Sequence, residues 1–254
     1  GQLLYELGAV CGYALAELEG GQKDNAITRE CTASVLVLPQ EADAVTALAE
    51  KIQKDFREEY AGSDDNITIQ VTNEGNTGAA VLHPTSQEKV VFFLMNLPFG
   101  VKKMSGTISG LVETSCNPGI LKLYGDELFV QTSIRSSIGT AKDALSHKIL
   151  YLTEFLGGEY DTEGDYPAWE YRKDSPLRDK MVEVYRNMYN KELRVVAVHA
   201  GLECGLFYQK MEGLDCTSLG PDILNIHTAE ERLDMASVKR VWEYLIEVLK
   251  SLKD

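Results

Sequence analysis

Stretches with a two-residue apolar period alternate along this chain with stretches of helical period, and this alternation constrains the fold most strongly. Ala33–Leu38 has the sequence Ala-Ser-Val-Leu-Val-Leu, which is typical of a strand, and Pro39 ends it. From Glu41 to Tyr60, apolar residues recur at three- and four-residue steps, which predicts an amphipathic helix. Gly125-Asp126 separates two alternating runs and predicts a hairpin turn between two strands.

The same patterns predict the order of elements over the whole chain. Helices are predicted at 1–19, 41–60, 86–96 and 139–156 and from about 175 and 237 onward, and strands at 33–38, 66–72, 111–135, 159–171, 193–198 and 216–219. Residues 1–172 suit an α+β domain, an open sheet with helices on one face, of which the ferredoxin-like layout is the simplest version. Residues 173–254 predict a separate α/β segment. The predicted fold class is therefore α/β with two domains.

Composition excludes several classes of partner. The net charge of −14, from 25 basic and 39 acidic residues, argues against nucleic acid, because phosphate binding requires clustered Lys and Arg. Apolar runs fall short of the roughly 20 residues that a membrane-spanning helix requires, and the start of the chain lacks the basic flank of a signal peptide. The five cysteines are odd in number and widely spaced, which is typical of reduced thiols. We therefore expect a cytoplasmic protein without a membrane partner.

Polar residues near two predicted strand ends are candidates for a ligand site. His199 and Glu203 follow the strand predicted at 193–198, and His227 follows a glycine-proline turn. Open α/β sheets gather their ligand sites at the carboxyl ends of strands. Each residue, taken alone, is more often a hydrogen-bonded structural residue. The motifs of serine hydrolases, phosphate-binding loops and His-Glu-x-x-His zinc sites are absent from the sequence, so the residues alone leave the chemistry open.

Longer motifs along nearly the whole chain carry a resemblance to a known family. They are 25–30 (Asn-Ala-Ile-Thr-Arg-Glu), 97–101 (Leu-Pro-Phe-Gly-Val), 112–117 (Val-Glu-Thr-Ser-Cys-Asn), 134–137 (Ile-Arg-Ser-Ser), 164–169 (Gly-Asp-Tyr-Pro-Ala-Trp), 199–207 (His-Ala-Gly-Leu-Glu-Cys-Gly-Leu-Phe), 218–221 (Ser-Leu-Gly-Pro) and 227–233 (His-Thr-Ala-Glu-Glu-Arg-Leu). In this order the motifs resemble the aminoacyl-histidine dipeptidases, which are carnosine-cleaving relatives of the zinc carboxypeptidases and aminoacylases. Thr28 departs from the proline that these relatives usually show.

The resemblance implies a different role for each of the two predicted domains. Residues 1–172 would be the lid, or dimerisation, domain, through which we expect a homodimer. Residues 173–254 would be the closing segment of the catalytic domain.

The resemblance also implies roles for individual residues. His227 would be a zinc ligand, since a neutral imidazole suits Zn²⁺. Asn25 and Arg135 would face the substrate or the tetrahedral oxyanion, and a guanidinium fits the terminal carboxylate of a dipeptide. Glu203 and Gly205 would line the substrate pocket. The alternative for Arg135 is an ion-pair residue on the surface.

The function implied by the resemblance is hydrolysis of dipeptides that end in histidine. In the family, two zinc ions activate a water molecule and a glutamate removes its proton. The His-x-Asp motif that carries part of this machinery is absent here, so we expect the general base and most ligands upstream of Gly1, and a truncated chain that is inactive by itself. Two alternatives stay open: a non-catalytic dimerisation or interaction module, and a related zinc exopeptidase of different specificity.

Overall fold

Helices and strands alternate along the chain in the computed structural model, which describes residues 1–76, 78–226 and 228–253. The helices are α1 (Gln2–Val10), α2 (Ala42–Glu59), α3 (Pro84–Asn96), α4 (Gly139–Phe155), α5 (Pro176–Tyr189), α6 (Glu203–Lys210) and α7 (Met235–Ser251). The strands are β1 (Tyr13–Gly20), β2 (Cys31–Val37), β3 (Gly100–Met104), β4 (Val112–Tyr124), β5 (Glu127–Ser136), β6 (Ile223–Leu224) and β7 (Arg232–Leu233). The longer strands form one sheet in the order β2-β1-β4-β3, and β5 also pairs with β4. The predicted fold class, α/β with an open sheet, is confirmed, and the pairs β1–β2 and β1–β4 of the sheet are antiparallel.

The chain divides into two compact units. Unit 1 comprises Gly1–Lys102, Ser115–Ile134 and Asp143–Asp161, and unit 2 comprises Lys103–Thr114, Arg135–Lys142 and Thr162–Asp254. The functional division between residues 172 and 173 stays a prediction.

The first strand contains a β-bulge that decides which of its side chains are buried. In the antiparallel pair β1–β2, Leu15 lies opposite Val35, whereas Glu17 lies opposite Ser34, so Ala16 is an extra residue in β1. A bulge reverses the alternation of faces beyond it. Leu15 and Leu18 are consequently both buried, at 0% and 3% exposure, although they are three positions apart.

This bulge explains an error in the sequence prediction. The helix predicted over 1–19 ends at Val10, Cys11 has extended backbone angles, and β1 begins at Tyr13. Apolar residues three positions apart are the mark of a helix face. A bulged strand produces the same spacing, so the period alone did not distinguish Leu15 and Leu18 from a continuation of the helix.

The core of unit 1 lies between its helices and the sheet. Three clusters of buried side chains form it: Leu4, Leu15, Leu18, Leu82, Val90 and Leu123; Leu7, Cys11, Leu48 and Ile52; and Leu97, Cys116, Leu145 and Ile149. Residues from α1 occur in two of these clusters, so this first helix links the packing of α2 to that of α3. Such burial is the main stabilising contribution to the unit.

Four predicted strands do not form. The segments 66–72, 159–171, 193–198 and 216–219 are irregular. A strand is stable only when a neighbour satisfies its backbone groups, and among the described residues no strand pairs with 193–198. Three valines of that segment, Val195, Val196 and Val198, are 49%, 60% and 56% exposed.

Unit 2 has its own core between α5 and α7. Met181 and Val184 from α5 pack against Tyr244 and Val248 from α7. The buried hydroxyl of Tyr244 donates a hydrogen bond to the carbonyl of Met181 at 2.8 Å, which removes the cost of burying a polar group. Burial, with the neighbouring Tyr185 adding to it, raises the pKa of Tyr244 to about 12.

The start of α5 is held by a small polar network. Ser175 Oγ accepts a hydrogen bond from Arg178 N at 3.1 Å and donates one to Asp215 Oδ1 at 2.7 Å. Asp215 Oδ2 accepts a further hydrogen bond from Leu177 N at 3.0 Å. Burial opposes ionisation of Asp215, but these hydrogen bonds and the nearby Arg172 charge outweigh it and lower the pKa of the carboxyl. The ionised carboxylate therefore stabilises the helix start.

The substitution Ser175→Ala should lower the free energy of unfolding by about 1 kcal/mol or more, since losing an N-cap costs about this much and Ser175 is buried. Urea unfolding of the chain measures the change. Ser218→Ala, at an exposed serine of the same unit, is the control and should change it by less than about 0.5 kcal/mol. Equal effects would contradict the capping role.

Asp215 also predicts how stability depends on pH. Because its pKa in the folded chain is lowered, its contribution is fully present above the unfolded value of about 3.9. The contribution is then lost as the pH falls through the folded value. We expect Asp215→Asn to be less stable than the unsubstituted chain at pH 7, with the difference shrinking below pH 4. A difference that stays constant down to pH 2 would refute this assignment.

Candidate functional site

The turn that carries Asn25 lies in unit 1 and is fastened to β4. Asn25 is exposed. The carbonyls on either side of it, those of Asp24 and Ala26, accept hydrogen bonds from Asn117 Nδ2 at 3.0 and 2.8 Å. A Cβ at Gly119 would lie 2.4 Å from the carbonyl oxygen of Asp24, so only glycine allows this approach. The turn therefore presents Asn25 from a fixed backbone.

Arg135 lies at the end of β5, in unit 2, and contacts the backbone of His199. Its Nη1 donates to the carbonyl oxygen of His199 at 3.5 Å, which is a long hydrogen bond. Both residues are partly buried. Burial lowers the pKa of His199 and the Arg135 charge lowers it further. The imidazole of His199 is therefore neutral at pH 7, and the guanidinium of Arg135 keeps further donors beyond this one bond.

The segment Tyr166–Trp169 packs against the first turn of α6. Lys142 Nζ donates to the carbonyl of Tyr166 at 2.8 Å and also bonds the carboxylate of Asp165. A Cβ at Gly205 would lie 2.6 Å from the carbonyl oxygen of Pro167. Gly205 is buried. The absence of a side chain at this position thus permits two backbone segments to touch.

Glu203 is the first residue of α6 and is exposed. Leu202 precedes the helix as its cap without a capping side chain. A carboxylate in the first turn is favoured by the helix dipole. The helix dipole therefore explains a carboxylate at position 203, and the side chain stays accessible to solvent.

The predicted zinc ligand, His227, lies outside the described residues. The loop around this position connects β6 to β7, which form an antiparallel pair. Thr228 Oγ1 donates to the carbonyl of Asn225 at 2.8 Å, and Glu231 N donates to the carbonyl of Thr228 at 3.2 Å. An open cleft of about 580 Å³ lies beside this loop, lined by Pro221, Asp222, Ile223, Leu224, Ile226 and Asp234.

The described residues do not by themselves supply a metal centre. Among residues 1–76, 78–226 and 228–253, no three or more His, Cys, Asp or Glu side chains are grouped as metal ligands. A zinc site requires three or four such donors. We therefore derive no catalytic step through a metal from these residues.

Unit 2 brings together part of the predicted site. Arg135 reaches the segment at His199, and Gly205 and Glu203 follow within the same turn and helix. Asn25 belongs to unit 1 and is described there by itself. Sequence patterns gave no role to Lys142 or Asn117, because the backbone carbonyls that they bind lie 24 and more than 90 positions away along the chain.

Comparisons with known proteins agree with the resemblance seen in the motifs. The chain is 31% identical over 238 residues to the cytosol non-specific dipeptidase of Escherichia coli strain K12, a match over 94% of this chain and 49% of that protein. The crystal structure of aminoacylhistidine dipeptidase from Vibrio alginolyticus matches with a TM-score of 0.88 and 26% identity, over 100% of this chain and 51% of that one. No family profile matches the chain. The chain thus spans about half the length of these relatives, and the resemblance to the dipeptidases is confirmed.

The contact at Gly205 can be tested by adding a single methyl group. Gly205→Ala should lower the free energy of unfolding by about 1–3 kcal/mol, because a backbone carbonyl must move to admit the new atom. Gly106→Ala is a suitable control, since its Cβ would meet nothing within 4 Å. Thermal or urea unfolding of both variants measures the difference, and equal stability of the two would show that the 2.6 Å approach is not maintained.

Proposed function

We propose that this chain is part of a metal-dependent dipeptidase whose preferred substrates are dipeptides with a C-terminal histidine, of the carnosine type. The observation that carries the proposal is the match to two dipeptidases over nearly the whole chain, one by sequence and one by structure. The two relatives differ in the specificity that their names state: one is a non-specific dipeptidase, and the other is an aminoacylhistidine dipeptidase. The proposed substrate class is therefore the dipeptide, and histidine is the preference to be tested.

Arg135 is proposed to bind the terminal carboxylate of the dipeptide. Its guanidinium makes one long bond to the carbonyl of His199, and an arginine carries five donors in a planar fork that matches a carboxylate. The neutral His199 adds no second charge beside it. A fixed, partly buried guanidinium suits recognition of a terminal carboxylate better than a mobile surface lysine would.

Glu203 and Gly205 are proposed to line the substrate pocket, and Asn25 is proposed as a further substrate-binding residue. Gly205 supports the pocket wall through its contact with Pro167. Glu203 offers an exposed carboxylate at the helix start, which suits a cationic group such as the free amine of a dipeptide. Asn117 donates hydrogen bonds to the turn that carries Asn25, so the backbone from which the Asn25 side chain extends is held in place.

The metal is proposed to be zinc, with His227 as one ligand. Zinc supplies activation of a water molecule for attack on a peptide carbonyl. The described residues do not form a complete ligand set, and the chain spans about half of its relatives. We therefore propose that the general base and the other ligands belong to the remainder of the protein, and that this chain alone is inactive.

The proposed assembly is a homodimer formed through residues 1–172. Strand β2 lies at the end of the sheet order, and among the described residues it pairs with β1 alone, so its outer edge can accept a strand from a second copy. The proposed location is the cytoplasm, in keeping with five free cysteines and with the name of the Escherichia coli relative. No helix among the described residues has the length and apolar character needed to cross a bilayer.

The proposal predicts activity for the full-length gene product and none for this chain alone. Both are assayed with carnosine, with other Xaa-His dipeptides and with dipeptides that lack histidine, after metal analysis. We expect zinc and hydrolysis only in the longer protein, with loss of activity on chelation and recovery on zinc addition. Light scattering of the same preparation tests the dimer.

Other outcomes of this assay separate the alternatives. Hydrolysis without preference for histidine would favour a related exopeptidase of different specificity. A full-length protein that binds no metal and cleaves no dipeptide would favour a non-catalytic dimerisation module and contradict the proposal.

The role of Arg135 predicts a substrate-dependent effect. In the full-length protein, Arg135→Gln should lower kcat/KM for dipeptides by about 10- to 150-fold, since hydrogen bonds to charged groups contribute about 1.5–3 kcal/mol. It should change kcat/KM much less for dipeptide amides, which lack the carboxylate. Arg194→Gln, at an exposed arginine of the same unit, is the matched control. An equal loss on acids and amides would indicate a structural role for Arg135.

A further inference from the structure

Two cysteines of unit 2 are in contact although they are 12 positions apart. Cys216 Sγ lies 3.9 Å from the carbonyl oxygen of Cys204, to which it donates. The Cys204 thiol is also near enough to raise the pKa of the Cys216 thiol. Both residues are partly buried and both are free thiols. The thiol of Cys216 therefore lies against the backbone of Cys204.

The surroundings of this pair are built from the segments that form the candidate pocket. Trp169 lies near the Cys216 thiol and acts to lower its pKa, and the Trp169 Cβ lies 3.7 Å from where a Cβ on Gly205 would be. Cys204 stands between Glu203 and Gly205 in the first turn of α6. The pair thus joins the start of α6 to the irregular segment that also holds Asp215.

We propose that Cys204 and Cys216 form a reversible disulfide that fastens the start of α6 to segment 214–217, which makes this turn a redox-sensitive modification site. The proposal rests on the contact of the Cys216 thiol with the backbone carbonyl of Cys204, at two cysteines that are both free. Formation of the bond is independent of the proposed dipeptidase function. Only its effect on peptide hydrolysis rests on that function.

The oxidant is a small disulfide such as oxidised glutathione, and the exchange proceeds in two steps. The thiolate of Cys204 attacks one sulfur of the reagent, forming a mixed disulfide and releasing one glutathione thiolate. The thiolate of Cys216 then attacks the Cys204 sulfur and releases the second glutathione. The two protein thiols lose two protons and two electrons, and the reagent gains them as two thiols.

The order of attack follows from the environment of Cys216. Burial, the neighbouring Cys204 and the charge of Asp215 raise the pKa of the Cys216 thiol. A mainly protonated thiol is a poor first nucleophile. Once Cys204 carries glutathione, however, the adjacent Cys216 attacks at a high effective concentration.

The remaining cysteines provide internal controls. Cys31 is exposed, whereas Cys11 and Cys116 are buried. Burial raises the pKa of Cys116 to about 11, with the Lys102 charge opposing the shift. Cys31 should therefore accept only a mixed disulfide with glutathione, and Cys11 and Cys116 should stay reduced.

The test equilibrates the full chain with oxidised and reduced glutathione at defined ratios, alkylates the free thiols after denaturation, and maps the products by mass spectrometry. We expect a Cys204–Cys216 cross-link at a ratio of oxidised to reduced glutathione about tenfold or more below that which modifies Cys31. Hydrogen exchange of the α6 amides should slow by about tenfold in the cross-linked form, and dithiothreitol should reverse both effects.

Two single variants make the test decisive. In Cys204→Ser and Cys216→Ser the remaining thiol should carry only glutathione, and α6 should exchange at the same rate with or without oxidant. Independent glutathione adducts on Cys204 and Cys216 in the unsubstituted chain, at every ratio, would overturn the proposal. A cross-link that forms in a full-length protein that cleaves no dipeptide would leave the disulfide established and contradict the proposed function alone.

Discussion

The candidate site depends on hydrogen bonds from long basic side chains to backbone carbonyl groups in segments outside the sheet. Segments of unit 2 that do not join a sheet still contain carbonyl groups that require donors. Lys142 Nζ binds the carbonyl of Tyr166 at 2.8 Å, and Arg135 Nη1 reaches that of His199 at 3.5 Å. Both basic residues belong to one short stretch, Arg135–Lys142, which unit 2 includes. The geometry of the pocket wall therefore follows from the end of β5 and the start of α4.

The sequence predicted elements well where local chemistry and tertiary contacts agreed. The strand at 33–38 and the hairpin at Gly125-Asp126 appear as β2 and as the turn between β4 and β5. The helix from Glu41 is present as α2. The prediction failed at 1–19, where a bulge gave a strand the apolar spacing of a helix, and at 193–198, where no partner strand is present among the described residues. Apolar periodicity indicates which side chains are buried, and both a helix face and a bulged strand can bury side chains at the same spacing.

The candidate site was predictable in its motifs but not in its contacts. The motif that contains Glu203 and Gly205 predicted this segment as part of the site through the family resemblance, although its residues were expected to form a turn and instead begin α6. The reason for the glycine, a carbonyl of Pro167 only 2.6 Å from where a Cβ would lie, depends on a segment almost forty positions earlier. The same limit applies to Asn117, which holds the turn of Asn25 across more than 90 positions. Side-chain bonds to distant carbonyls leave no periodic pattern.

The valine-rich stretch 193–198 has a consequence for the behaviour of the chain in solution. Its composition, Leu-Arg-Val-Val-Ala-Val, has high β-propensity and no proline, and three of its valines are well exposed. Such hexapeptides drive association between copies unless flanking charges interrupt the stacking. Glu192 flanks the stretch and Arg194 lies within it, so both charges can act as gatekeepers. The tendency of the chain to form fibrils or amorphous aggregates should therefore depend on the charge of these two side chains more than on the net charge of −14.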